Sequence, residues 1–300
     1  MPTPWWFSHA AALELPGEVG ALSLGALWNL NEGLRFVRDN VAPAALAQDA
    51  LASADATARW SAFVSREGQV LRALTAATAF EVAAIRGGGR PAARFRAHWE
   101  ALGFVAHLTR DGTPADDYLD ALFGTSRLSF LSSDSPLANV NLASRASRVA
   151  DFLAVAAPRV DDVVFDLGSG SGKLALTVAA SAVTTVQGVE LLESAVAEAS
   201  LSAVALGLSN VAFARADVRD VDLSRGSVFY QYFPFRGAVA SAVAGTLGAL
   251  ARQKDITVYA SGPVRDYGEY FAREVDAGAL CLEQRRGEFD EVMVLKSERR

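Results

Sequence analysis

Asp166, Glu190 and Asp217 each close a short apolar run, in "VVFDL", "TTVQGVE" and "NVAFARAD". Behind the first lies Gly168-Ser169-Gly170-Ser171-Gly172, a turn that lets the backbone come close to a bound group. Carboxylates accept hydrogen bonds from hydroxyl, amino and ammonium groups. A glycine turn followed by acidic residues at strand ends is therefore chemistry for holding something small and polar. The open question is which ligand: a nucleoside triphosphate, a dinucleotide or another cofactor.

Two patterns fail on inspection. A phosphate-binding P-loop needs G-x-x-x-x-G-K-[ST]. Gly172-Lys173 supplies its G-K pair, but Leu167 stands at the first glycine position and Leu174 at the hydroxyl position. The dinucleotide fingerprint G-x-G-x-x-G fits Gly168 and Gly170 and then meets Lys173 where the third glycine belongs.

The stretch "FDLGSGSGK" resembles the first motif of the class I S-adenosylmethionine-dependent methyltransferases, in which an acidic residue precedes G-x-G-x-G. Adenosylmethionine carries no phosphate, only an ammonium and a carboxylate on its methionine part. The resemblance implies that Asp166 meets the ammonium, directly or through water. It implies that Gly168, Ser169, Gly170 and Gly172 line the methionyl chain. Glu190 follows Asp166 by 24 residues and is the expected partner of the ribose hydroxyls. Asp217 is expected to take the adenine amino group, with Val218 against the ring. Asn141 and Ser144 fall in the segment that closes over the methionyl group in this family. Arg145 and Arg148 are further candidates for the cofactor carboxylate, and Lys173 is expected to face solvent. The implied fold is α/β, a Rossmann-like sheet of order 3-2-1-4-5-7-6. The implied cofactor is S-adenosyl-L-methionine, with S-adenosyl-L-homocysteine as product.

The acceptor side is read from "SVFYQYFPFRG", residues 227–237. Methyl transfer is an in-line displacement, so its acceleration comes mainly from holding the nucleophile in line. Many amine methyltransferases carry [DN]-P-P-[YF] here; this chain has Tyr232-Phe233-Pro234-Phe235. The segment also resembles the V-N-N-F-A-F stretch of the non-SET, telomeric-silencing-type lysine methyltransferases, with Gln231 and Tyr232 at the two Asn positions. On that resemblance Tyr232 and Gln231 are the expected catalytic pair, and Phe233 and Phe235 an aromatic wall for the substrate. The expected reaction moves a methyl group to nitrogen, with oxygen second, on a small molecule or a protein side chain. The alternative is a non-catalytic adenosylmethionine-binding sensor or scaffold. An NAD-dependent enzyme is a further rival, opposed by Lys173 and Asp217.

These residues need a frame. From residue 144 onward, apolar runs rich in Val and Phe alternate with alanine-rich helical stretches, the pattern of a parallel sheet covered on both faces. "ALCLEQRRGEFDEVMVLKS" reads as two antiparallel strands around Arg286-Gly287. Upstream, "ARWSAFVSREGQVLRALTAATAFEVAAI" and "RPAARFRAHWEALGFVAHLTR" show helical spacing, and "DDYLDALFG" one more short helix ended by Gly124. The expected division is a helical N-terminal domain at 1–125, a connecting segment at 126–143 and a methyltransferase domain at 144–300. The helical part holds every tryptophan and histidine; His98 and His107 are candidate bases, with a structural role favoured. Trp5 and Trp6 are expected to pack on the helical domain or in a homodimer interface.

Of 300 residues 51% are hydrophobic, and the net charge is −6. That balance argues against a nucleic acid partner, whose phosphates call for clustered Lys and Arg. Cys281 is the single cysteine, so a Cys-based cluster is excluded and no metal site is expected. No leader-like start and no membrane span is read, so the expected setting is cytoplasmic, with no membrane partner. The few lysines and abundant alanine suggest a bacterial source.

Overall fold

The computed structural model describes residues 19–41, 54–88, 91–106, 114–125, 144–182, 184–262, 268–286 and 291–298. Asn141, Trp5, Trp6, His107 and the turn at Gly287 lie outside the described residues.

Among the described residues four α-helices come first: α1 (Leu24–Phe36), α2 (Ala54–Gly87), α3 (Pro91–Ala106) and α4 (Pro114–Phe123). Ser23 caps α1, its hydroxyl accepting from the Ala26 amide. α1 runs on into a π-type turn at Val37–Val41. Proline opens both α3 and α4, at the helical position where a missing N–H costs nothing. Asp116 and Asp117 stand in the first turn of α4, where the helix dipole favours negative charge.

The sheet follows, built from β1 (Val163–Leu167), β2 (Thr185–Glu190), β3 (Val211–Arg215), β4 (Val228–Tyr232), β5 (Thr257–Gly262), β6 (Leu280–Arg286) and β7 (Glu291–Ser297). Its order is β3-β2-β1-β4-β5-β7-β6, the order that the resemblance implies. β1 to β5 pair in parallel; β7 runs antiparallel to both β5 and β6. The crossovers are α6 (Lys173–Ser181), α7 (Glu193–Ala205) and α8 (Gly237–Ala251), with α9 (Glu269–Asp276) before β6. One more helix, numbered α5′ for its place before β1, spans Ala146–Ala156. This is an α/β Rossmann-like fold with a helical N-terminal region.

Each face of the sheet has its own core. On one, Phe165, Leu167, Phe229, Leu247 and Phe271 pack together. On the other, Phe152, Leu174, Tyr230 and Tyr259 join Trp28, Leu74, Ile85, Phe95, Tyr118 and Phe123. The N-terminal helices and the sheet therefore complete a single apolar layer. The helix α5′ fits this layer closely: the Phe152 ring stands edge-on to Tyr230 and Tyr259, at 5.2 and 5.5 Å between centroids. Those two tyrosines stack on each other at 5.5 Å.

Candidate active site

The glycine turn leaves β1 and enters α6 with its backbone in a left-handed conformation at Gly168 (φ 79°) and Gly172 (φ 82°). The amides of Gly168 and Ser169 both donate to the Val189 carbonyl, at 2.8 and 3.0 Å, which ties the turn to β2. Glu190 braces it from below. One carboxylate oxygen accepts from the Gly170 amide at 2.9 Å; the other accepts from the Leu191 and Leu192 amides at 2.7 and 2.9 Å. Thus the residue expected at the ribose also holds two turns together.

Asp166 is buried, and the Ala175 N–H in the first turn of α6 donates to its carboxylate. Burial pushes its carboxyl up to about 7, and the negative charge of Glu190 acts in the same direction. A buried carboxylate in that state fits a ligand that brings its own positive charge. The Ser169 hydroxyl, which lies against Gly188 of β2, is buried and has no hydrogen-bond partner among the described residues. Buried orphans of this kind want a partner.

Asp217 follows β3 and caps the short turn Val218–Asp220, its side chain accepting from the Arg219 amide. The Arg219 guanidinium grips both its oxygens, Nε at 3.0 Å and Nη2 at 2.6 Å, and holds the carboxyl below its usual range. Val218 is buried with Leu167 and Val189. So the structure brings Asp166, Glu190 and Asp217 to the carboxyl ends of three neighbouring strands, with the glycine turn among them.

β4 carries the other half. Tyr232 is half-buried and pairs in register with Ser261 of β5. Arg148 of α5′ lays its guanidinium over the Tyr232 ring, 4.5 Å from the centroid, and donates to the Ser261 hydroxyl. Phe233 then takes φ 44°, a conformation that costs a non-glycine residue about 1–2 kcal/mol. Gly262 leaves it room: a Cβ there would stand 2.7 Å from the Phe233 Cβ. Pro234 folds back onto Gly168.

The remaining expected residues separate. Gln231 is buried, and strand alternation puts it on the opposite face from Tyr232. Phe235 is buried in the core with Val239 and Phe271, so its ring fills protein interior. The Ser144 hydroxyl lies 2.8 Å from the Tyr230 hydroxyl of β4. Arg148 meets Tyr232 and Ser261. Lys173 corrects the sequence reading outright. It is buried, and its ammonium meets Asp120 at 2.5 Å and Asp116 at 3.8 Å, both on α4. Helical position alone suggested solvent; the packing of α4 on the start of α6 decides otherwise. His98 faces Glu81 of α2, its Nε2 3.8 Å from the carboxylate.

Sequence reasoning missed Ser261, Asp116 and Asp120. Ser261 closes an apolar strand, and a polar residue in that place was the available signal. No signal linked α4 to Lys173.

No protein-family model matches the chain, and no curated protein matches it. Solved structures do. An RNA methyltransferase from Salinibacter ruber in complex with S-adenosyl-L-homocysteine is similar over 53% of this chain and 95% of its own, at 19% identity and TM-score 0.42. A putative RNA methyltransferase from Pyrococcus horikoshii is similar over 61% and 97%, at 14% identity and TM-score 0.48. TrmN from Thermus thermophilus is similar over 50% and 48%, at 23% identity and TM-score 0.41. These likenesses concern the fold.

They also correct one expectation. The acidic composition was read as opposing a nucleic acid partner, yet two of these three similar structures are described as RNA methyltransferases. Net charge is a sum over the whole surface, and it does not fix the local potential at one end of a sheet. Among the described residues no helix is long and apolar enough to cross a membrane.

Proposed function

We propose that this chain is an S-adenosylmethionine-dependent methyltransferase. One observation carries the reading: Asp166, Glu190 and Asp217 end three adjacent parallel strands around a glycine turn whose buried Ser169 hydroxyl lacks a partner. When bound, adenosylmethionine supplies an activated methyl group on a positive sulfur. The residues present fit it. Asp166 is the anionic partner for its ammonium, Glu190 for the ribose hydroxyls and Asp217 for the adenine amino group. Gly168, Gly170 and Gly172 give the turn the left-handed backbone that brings it close to a ligand, and Val218 is buried beside Leu167 and Val189.

Tyr232 is the proposed acceptor-orienting group, because it stands half-exposed at the end of β4, two residues before the Pro234 that packs on Gly168. Phe233 forms the apolar wall beside it. Gln231 acts from inside the sheet, setting the strand end. Nitrogen is the proposed acceptor atom, in keeping with the likeness of this segment to amine and lysine methyltransferases. Residues 1–125 form the proposed helical unit that walls the acceptor side, joined through 126–143 to the methyltransferase unit at 144–300. The shared core of the two parts supports that arrangement.

Calorimetric titration with adenosylmethionine, S-adenosylhomocysteine and NAD tests the cofactor. Binding of the first two and not the third is expected; the reverse would sink the proposal. Incubation with methyl-tritiated adenosylmethionine and three separate acceptor pools then tests the acceptor: unmodified RNA transcripts, cell protein and a small-molecule extract. Label is expected in one pool, and Tyr232→Phe is expected to reduce it with cofactor binding unchanged.

A further inference from the structure

We propose that Arg148 is a positioning residue for Tyr232, a clamp that fixes the phenol at the acceptor end of β4. The inference rests on the role given to Tyr232 above. Three contacts fix where α5′ lies along the sheet. Phe152 wedges edge-on against Tyr230 and Tyr259. Asp151 accepts from the Tyr259 hydroxyl at 2.6 Å. The Ser144 hydroxyl, just before the helix, lies 2.8 Å from the Tyr230 hydroxyl. With both ends of the helix set, Arg148, one turn before Phe152, is delivered over Tyr232.

The chemistry of the clamp suits orientation more than bulk. Arg148 is only 7% exposed, a costly place for a cation unless its position matters. A methionine would fill much of the same space. The planar fork does two things that methionine cannot: it attracts the face of the Tyr232 ring as a cation and donates to the Ser261 hydroxyl. Ser261 is the register partner of Tyr232, so the clamp spans β4 and β5 and fixes the ring against both. In-line methyl transfer depends on such angular control, since small misplacements of the reacting groups are expensive.

The test uses the full-length protein labelled with fluorotyrosine. The chain has six tyrosines, and the fluorine NMR signal lost in Tyr232→Phe identifies the one of interest. In Arg148→Met that signal is expected to shift and broaden as the ring gains freedom, while the signals of tyrosines away from Arg148 stay in place. Arg148→Lys, which keeps the cation over the ring, is expected to restore much of the shift. Ser261→Ala removes only the anchoring hydroxyl and is expected to broaden the same signal; it carries the test if Arg148→Met fails to fold. An unmoved Tyr232 signal in a folded Arg148→Met or Ser261→Ala protein that still binds adenosylmethionine overturns the clamp alone. A wild-type protein that binds no adenosylmethionine overturns the function on which it rests, whatever the signal does.

Discussion

Gly168 and Pro234 occupy each other's space: a Cβ on Gly168 would stand 2.1 Å from the Pro234 Cβ. The turn proposed for the cofactor and the loop proposed for the acceptor are in direct contact. They meet between β1 and β4, the place where the strand order reverses and where open α/β sheets bind ligands.

Gly168→Ala should therefore damage both halves. The new methyl must displace Pro234, and φ 79° is itself unfavourable for alanine. Together these are expected to cost on the order of 2–4 kcal/mol of stability. A chemical denaturation curve measures the loss, and adenosylmethionine titration should show weaker binding. Wild-type values on both would show that the loop yields freely.

Asp166→Asn should separate stability from binding. The folded carboxyl is pushed up to about 7, above its ordinary value of 3.8. A raised value means the stability it contributes is present below about pH 4 and is lost as pH rises through 7. Asparagine cannot ionise, so the variant is expected to be the more stable protein at pH 8, by on the order of a few kcal/mol. Its adenosylmethionine affinity should fall. In the wild type that affinity should rise between pH 6 and pH 8, as Asp166 ionises; in the variant the rise should vanish. A thermal melt and a titration series at these two pH values decide the matter.

Lys173→Met leaves Asp116 and Asp120 facing each other without their cation. Breaking a buried pair by removing one partner costs about 3–5 kcal/mol. Part of that returns in Lys173→Met with Asp120→Asn, since one of the stranded charges is gone. Urea unfolding of both variants is the measurement; equal stability for the single variant and the wild type would show the pair to be dispensable.

Glu190→Ala confounds binding with folding, because three backbone amides lose their acceptor. Stability is expected to drop by about 1–3 kcal/mol. Glu190→Gln keeps an acceptor oxygen and should melt closer to the wild type. A cofactor affinity that falls in both, with stability lost mainly in the alanine variant, would assign Glu190 a contact beyond its brace.

The sheet was legible because its strands are short Val- and Phe-rich runs, and their alternation with helices of crossover length admits few arrangements. The strand ends were legible for a similar reason: an acidic residue closing an apolar run stands out. α9 was not read: "EYFAREVD" is strongly one-sided, burying Phe271 and Glu274, but it is only eight residues long. The burial of Lys173, the interior place of Phe235 and the reach of Arg148 to Ser261 were invisible. Each depends on which distant element covers a residue, and local spacing does not carry that information.

The apolar layer shared by the N-terminal helices and the sheet bears on how the protein is made. Trp28, Phe95, Tyr118 and Phe123 leave the ribosome well before Tyr230 and Tyr259, which complete their surroundings. The 107 positions from Phe123 to Tyr230 take roughly five to twenty seconds at ordinary translation speeds. Until then the early aromatics have only one another: Trp28 and Phe95 pack on Tyr118, and Phe95 on Phe123. A nascent chain of this kind depends on a holding chaperone, or on collapse among its own helices, until the strands arrive.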